Sequence, residues 1–168
     1  MNILKSVSVF AVVLSLCACS EVELASHLGK KITGANVKSQ GTYKVGNPYV
    51  INGQRYYPEV DLEYDETGVA SWYGPGFHGK LTANGEIFDE NELTAAHKTL
   101  PLPSIVRVTN LENGRSLIVR VNDRGPYAHS RVIDMSKRSA ELLGFRKQGV
   151  AKVRVQVLRA ESLMVEQA

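Results

Sequence analysis

Between Gly68 and Ala160 the chain alternates apolar and polar residues with a period of two, in short runs broken by glycine-rich turns. That is the period of a half-buried β-strand, whose successive side chains point to opposite faces. Six strands are predicted: Val69–Tyr73, Thr94–His97, Ile105–Asn110, Ser116–Asn122, Arg131–Asp134 and Val150–Leu158. Asn113-Gly114 suits a tight hairpin between the third and fourth, because both residues tolerate positive φ. One or two short helices are predicted, of which one is clear: Ser136 caps it, KRSAELL supplies good helix formers and Gly144 stops it. Short strands with one short helix give a mainly β chain and a small closed barrel, not a sheet wound by βαβ units.

The pattern divides the rest of the chain. Residues 41–67 hold five of the seven tyrosines, with Asn52-Gly53 between YVI and QRYY. This is a hairpin or extended arm, and tyrosines packing it onto the barrel are favoured over tyrosines stacking on sugars. Residues 19–40 are polar and weakly patterned, a tether; residues 161–168 are a tail. At the start, Lys5 precedes the apolar run Val7–Leu16, which reads as an export signal spanning residues 1–18. Leu16-Cys17-Ala18-Cys19 resembles a bacterial lipobox, which implies cleavage before Cys19 and a lipid on its sulfur. Each buried methylene of such a lipid contributes about 0.8 kcal/mol of membrane affinity. Ser20 instead of Asp favours the outer membrane, facing the periplasm, over the inner membrane. Both cysteines lie in the first twenty residues, so no disulfide framework holds the body together.

Composition narrows the partners. Of 168 residues, 20 are Lys or Arg and 17 are Asp or Glu. Fourteen of the basic and eight of the acidic residues fall in 68–160, a local net charge of +6. A basic body suits an anionic polymer. Nucleic acid is excluded as the expected partner, because no Lys/Arg run is interleaved with aromatics.

Candidate chemistry centres on VRVNDRGPY, where a strand delivers Asp123 to a loop mouth between Asn122 and Arg124. Three other clusters accompany it: SWYGPGFHGKLTANGE, an aromatic and glycine-rich loop ending on Glu86; TAAHK, with His97 at a strand end; and GPYAHSRVIDMS, Gly125 to Ser136, which leads into the helix. Two carboxylates in one cleft fit glycoside cleavage, where one protonates the leaving oxygen and negative charge meets an oxocarbenium-like transition state. The histidines at 27, 78, 97 and 129 lack close ligand spacing, so neither a metal nor another cofactor is expected. A Ser71, His97 and Asp123 triad is disfavoured because no nucleophile elbow surrounds Ser71.

GVASWYGPGFHGKLTANGEIFD, LTAAHKTLPLPSIVRVTNLENGRSLIVRVNDRGPY and RVIDMSKRSAELLGF resemble the rare lipoprotein A family, the RlpA-like septal ring lytic transglycosylases. The likeness runs from Gly68 to about Leu158. It implies a six-stranded double-psi β-barrel, related to those of expansins and of the membrane-bound lytic transglycosylase MltA. It further implies endolytic cleavage of peptidoglycan glycan strands, preferably strands stripped of stem peptides, leaving 1,6-anhydro-N-acetylmuramic acid ends. Family motifs place functional residues on Glu86, His97 and Asp123. Our reading gives Asp123 the acid/base role, with Glu86 orienting it or stabilising positive charge, although the reverse assignment stays open. Substrate contacts are expected from Tyr73, Lys80, Thr82, Asn84, Asn122 and Arg124. Many members carry a C-terminal SPOR domain, and none is seen after the last strand here, so septal targeting by that route is not expected. Cell-division proteins and amidases are the protein partners the resemblance suggests. The alternative function is a non-catalytic, expansin-like glycan-binding lipoprotein.

Overall fold

The computed structural model describes residues 41–168 apart from His129. The export signal, Cys17, Cys19 and the tether lie outside the described residues. Two short strands, β1 (Tyr49–Ile51) and β2 (Gln54–Tyr56), form an antiparallel hairpin. Asn52 and Gly53 turn it with φ of 49° and 78°, the left-handed conformation this turn requires. Six strands then close a barrel: β3 (Asp65–Trp72), β4 (Thr94–His97), β5 (Ser104–Asn110), β6 (Ser116–Asp123), β7 (Arg131–Met135) and β8 (Val150–Val157). Their order around the barrel is β3-β7-β4-β6-β5-β8. The β3/β7 and β4/β6 pairs are parallel and the other four antiparallel.

Alternation sorts the residues. Ala95, Val106, Val108, Val119, Val121, Ile133, Met135, Val153 and Val155 fill the interior, each at most 2% exposed. The residues between them face outward. On that outer face, parallel and antiparallel registers align a row across neighbouring strands: Ser71 pairs with Asp134, Asp134 with Ala96, and Ala96 with Asp123. A register shift after Ala95 brings Asp123 opposite Ala96.

Helix α1 (Lys137–Leu143) begins at Ser136, whose hydroxyl accepts from the Ser139 N–H, and ends at Gly144 with φ 80°. A second helix, α2 (Arg159–Glu166), replaces most of the expected tail. It docks on β5 through Ser162 Oγ, which accepts from Ile105 N at 3.0 Å and donates to Ile105 O at 3.1 Å. β3 also starts earlier than the pattern predicts, at Asp65.

The arm is fastened to the barrel along its length. Lys44 and Leu102 exchange backbone hydrogen bonds of 2.8 Å. Tyr49 stacks on Tyr56 with centroids 5.1 Å apart, both rings pack against Tyr127, and Tyr49 Oη donates to Lys98 O. These tyrosines pack the arm down, as the sequence favoured. At its other end the arm comes near α2: burial, then the Glu166 charge, raises the pKa of the Tyr43 hydroxyl.

Candidate active site

Asp123 is the last residue of β6 and is half-buried. Three donors hold its carboxylate: the Tyr73 hydroxyl to Oδ2 at 2.9 Å, and the Ala83 and Arg124 backbone N–H groups to Oδ1 at 2.7 and 2.8 Å. Tyr73 follows β3, and Ala83 lies in the loop between β3 and β4. Three separate segments therefore fix one carboxyl group, which is what a positioned reacting group needs. Burial, followed by the Asp123 charge, pushes the Tyr73 hydroxyl far above its ordinary value, so it acts as a donor and not as an acid.

Behind Asp123 lies a second, closed network. Glu86 is 3% exposed. Its Oε1 accepts from Asn84 Nδ2 at 2.7 Å and from the Arg120 guanidinium, and its Oε2 accepts from Asn122 Nδ2 at 2.7 Å. Thr82 Oγ1 donates to Asn84 Oδ1 at 2.8 Å. Arg120 and Asn122 belong to β6, so Glu86 ties the loop carrying Ala83 to the strand carrying Asp123. Gly41 seals the network from the arm: a Cβ there would lie 2.5 Å from Glu86 Cγ, and Thr42 N–H bonds Asn84 O at 2.9 Å.

A family model described as lytic transglycolase matches residues 65–155, the whole span of the barrel strands to within two residues. The chain belongs to the RlpA-like lytic transglycolase family. It is 55% identical over 130 residues to the endolytic peptidoglycan transglycosylase RlpA of Rickettsia bellii, covering 76% of this chain and 57% of that protein. To the protein of the same name from Pseudomonas aeruginosa it is 59% identical over 111 residues, 66% of this chain and 33% of that one. The chain thus spans between a third and about three fifths of these relatives' lengths. Among solved structures it is similar to the Streptomyces papain inhibitor, with a TM-score of 0.47 and 20% identity over 60% of this chain and 100% of that one.

The RlpA-like barrel brings together most of the residues singled out from the sequence, but in different layers. Asp123 and Tyr73 meet at the surface. Glu86, Thr82, Asn84 and Asn122 form the support beneath and are all buried. Lys80 is exposed, with Nζ 5.3 Å from the Phe77 ring centroid. Phe77 in turn packs on Tyr73 at 5.3 Å, extending an aromatic surface outward from Asp123.

Two residues have other work. The His97 ring is 3% exposed; Nδ1 accepts from the Thr99 and Leu100 N–H groups at 3.2 and 3.1 Å, and Nε2 meets Tyr64 Oη at 3.0 Å. With Nδ1 accepting twice, the neutral ring carries its hydrogen on Nε2 and donates to Tyr64. Burial, then the charges of Arg124 and Lys98, lower its pKa to about 3. His97 is thus a structural hub linking β4, the following turn and the arm. The Arg124 guanidinium reaches backbone carbonyls: Leu100 O and Val45 O at 2.6 Å each, and His97 O at 3.3 Å. It clamps the arm. Asp134, which lies in the Gly125–Ser136 cluster but received no role of its own from the sequence, stands on the same outer face, bonded to the Ser71 hydroxyl and 3.5 Å from Arg131. Its alternation with buried Ile133 and Met135 was the available signal.

Proposed function

We propose that this protein is an endolytic peptidoglycan lytic transglycosylase. Asp123 is its acid/base group, and Glu86 positions Asp123 from behind. The observation that supports this most directly is the division of the two carboxylates. One is accessible and held by three donors; the other is buried and locked to the strand and the loop that present the first. In this mechanism the Asp123 carboxyl donates its proton to the glycosidic oxygen as the C1–O bond breaks. The sugar's own C6 hydroxyl oxygen then bonds C1, and its proton returns to Asp123. No water enters, and the product carries a 1,6-anhydro end.

Glycan without stem peptides is the preferred substrate in this reading. Such strands expose a free lactyl carboxylate on each muramic acid, and the exposed Lys80 beside the aromatic surface offers it a charged partner. A lipid on Cys19 would keep the domain at the outer membrane, facing the periplasm, where the polymer lies. The test is incubation of the purified protein with amidase-treated sacculi. Soluble anhydro-ended fragments are expected from wild type and none from Asp123→Asn. Retention on glycan without release of fragments from wild type would replace this reading with the non-catalytic, expansin-like one.

A further inference from the structure

Glycoside cleavage without an attacking water still builds positive charge on the sugar ring, and a carboxylate beside the ring stabilises it. Glu86 is poorly suited to that part. It is sealed under Gly41 and its charge is answered by Arg120. The outer row of the barrel supplies another group. Ala96 lies between Asp123 on β6 and Asp134 on β7, paired in register with both. Residues directly opposite in register share a face, so the two carboxylates rise from the same surface, with Cα atoms about 9–10 Å apart, two strand spacings. Only a methyl group stands between them. Tyr73, which bonds Asp123, also feels the Asp134 charge. The Asp134 side chain is 16% exposed against 4% for Glu86.

We infer that Asp134 is the second substrate-facing carboxylate of this site, set across Ala96 from Asp123, and that it holds negative charge against the sugar ring while the bond breaks. This rests on the transglycosylase reading above. The groups facing Asp134 are consistent with that part. The Ser71 hydroxyl from β3 donates to it, Arg131 from its own strand lies 3.5 Å away, and Lys98 beyond β4 and Tyr73 beyond β3 border it. Lys98 Nζ is directed to Arg131 O at 2.7 Å and Arg131 Nη1 to Ser71 Oγ at 2.6 Å, so these cations frame the carboxylate without capping it bidentately. The competing account is a purely structural tie between β3 and β7.

The full chain is assayed on naked glycan strands from amidase-treated sacculi between pH 4 and 9, alongside thermal melting and glycan pull-down. Asp134→Asn is expected to release fragments roughly 100-fold more slowly, the usual size for loss of one electrostatic stabiliser, while melting and glycan retention stay at wild-type values. Ser71→Ala is expected to cleave, with the acid limb of its pH profile moved to higher pH, because removing a donated hydrogen bond weakens the charged form of Asp134. Cleavage by Asp134→Asn within threefold of wild type overturns the inference. So does a Ser71→Ala profile that superimposes on wild type, which also decides the matter if Asp134→Asn misfolds. A wild type that binds glycan but releases nothing removes the underlying reading instead.

Discussion

His97 shows how one residue's role depends on neighbours far away in sequence. TAAH places it at a strand end near the acidic loop, yet its partners are the turn after β4 and Tyr64, 33 positions earlier. Its folded pKa of about 3 lies below the unfolded value of about 6.5. The unfolded chain therefore binds the extra proton first as pH falls. The stability from a neutral His97 is complete above pH 6.5 and drains away between 6.5 and 3, at up to about 1.4 kcal/mol per pH unit. Chemical denaturation at pH 7.5, 6, 5 and 4 should show this slope in wild type and a shallower one in His97→Gln; parallel slopes would refute it. Arg124 teaches the same lesson. Asn122-Asp123-Arg124 suggests an ion pair or a ligand contact, but the guanidinium crosses to Val45 in the arm. Arg124→Ala should lower stability by roughly 1–3 kcal/mol, the range for lost charged hydrogen bonds, and leave glycan affinity unchanged. Lys80→Ala should do the opposite, leaving the melting temperature alone and weakening binding to naked glycan, more so at low salt. The sequence singles out Asp123 at a strand end and Glu86 at a turn. The layering that separates them was not legible, since nothing local states that Gly41 covers Glu86.

Elements were legible in proportion to how locally they are specified. β4 falls at Thr94–His97 as predicted, and α1 falls between the Ser136 and Gly144 caps, because cap chemistry is written in adjacent residues. Helix α2 escaped because Leu158 stands at its N-cap and makes no side-chain cap bond; what fixes it is Ser162 reaching Ile105, 57 positions away. The Asp134 row escaped for the same reason, being produced by register between β7, β4 and β6. Segments without regular structure also carry precise contacts, and Gly41 gives a sharp example. In Gly41→Val the new Cβ falls 2.5 Å from Glu86 Cγ, which cannot be met without moving the arm or the 82–86 loop. Cleavage should drop roughly tenfold or more, about 1.4 kcal/mol in the barrier, while the barrel's melting transition stays cooperative. Wild-type rates from this variant would show that the Glu86 loop tolerates displacement.

At the scale of the whole molecule, closure makes the body self-sufficient. The first and last barrel strands, β3 and β8, pair over seven positions from Asp65↔Gln156 to Ser71↔Val150 and remove both open edges. No cysteine follows Cys19, so cohesion comes from non-covalent contacts: the apolar interior, the ladders and side-chain ties such as the Arg124 clamp. Thermal unfolding of residues 41–168 should be a single transition whose midpoint is unchanged by reductant; a broad or reductant-sensitive transition would refute this. The six strands, their mainly β class and the closed form could be read from period and turn signals. The order β3-β7-β4-β6-β5-β8 could not, since parallel partners more than sixty residues apart in β3 and β7 leave no local trace.

Lys44 pairs with Leu102 and Ser162 with Ile105, three residues further on, so both ends of the described chain lie against one short stretch of the barrel. A circular permutant is therefore feasible: a short flexible linker from Ala168 to Gly41, with new termini cut at the Asn113-Gly114 turn. Every ladder survives that rearrangement, and β5 and β6 become the terminal strands that must find each other in space. Asp123 would then precede Glu86 in the chain, yet the two would meet as before, because their encounter is set by pairing across the barrel and is indifferent to the direction in which the polypeptide is threaded.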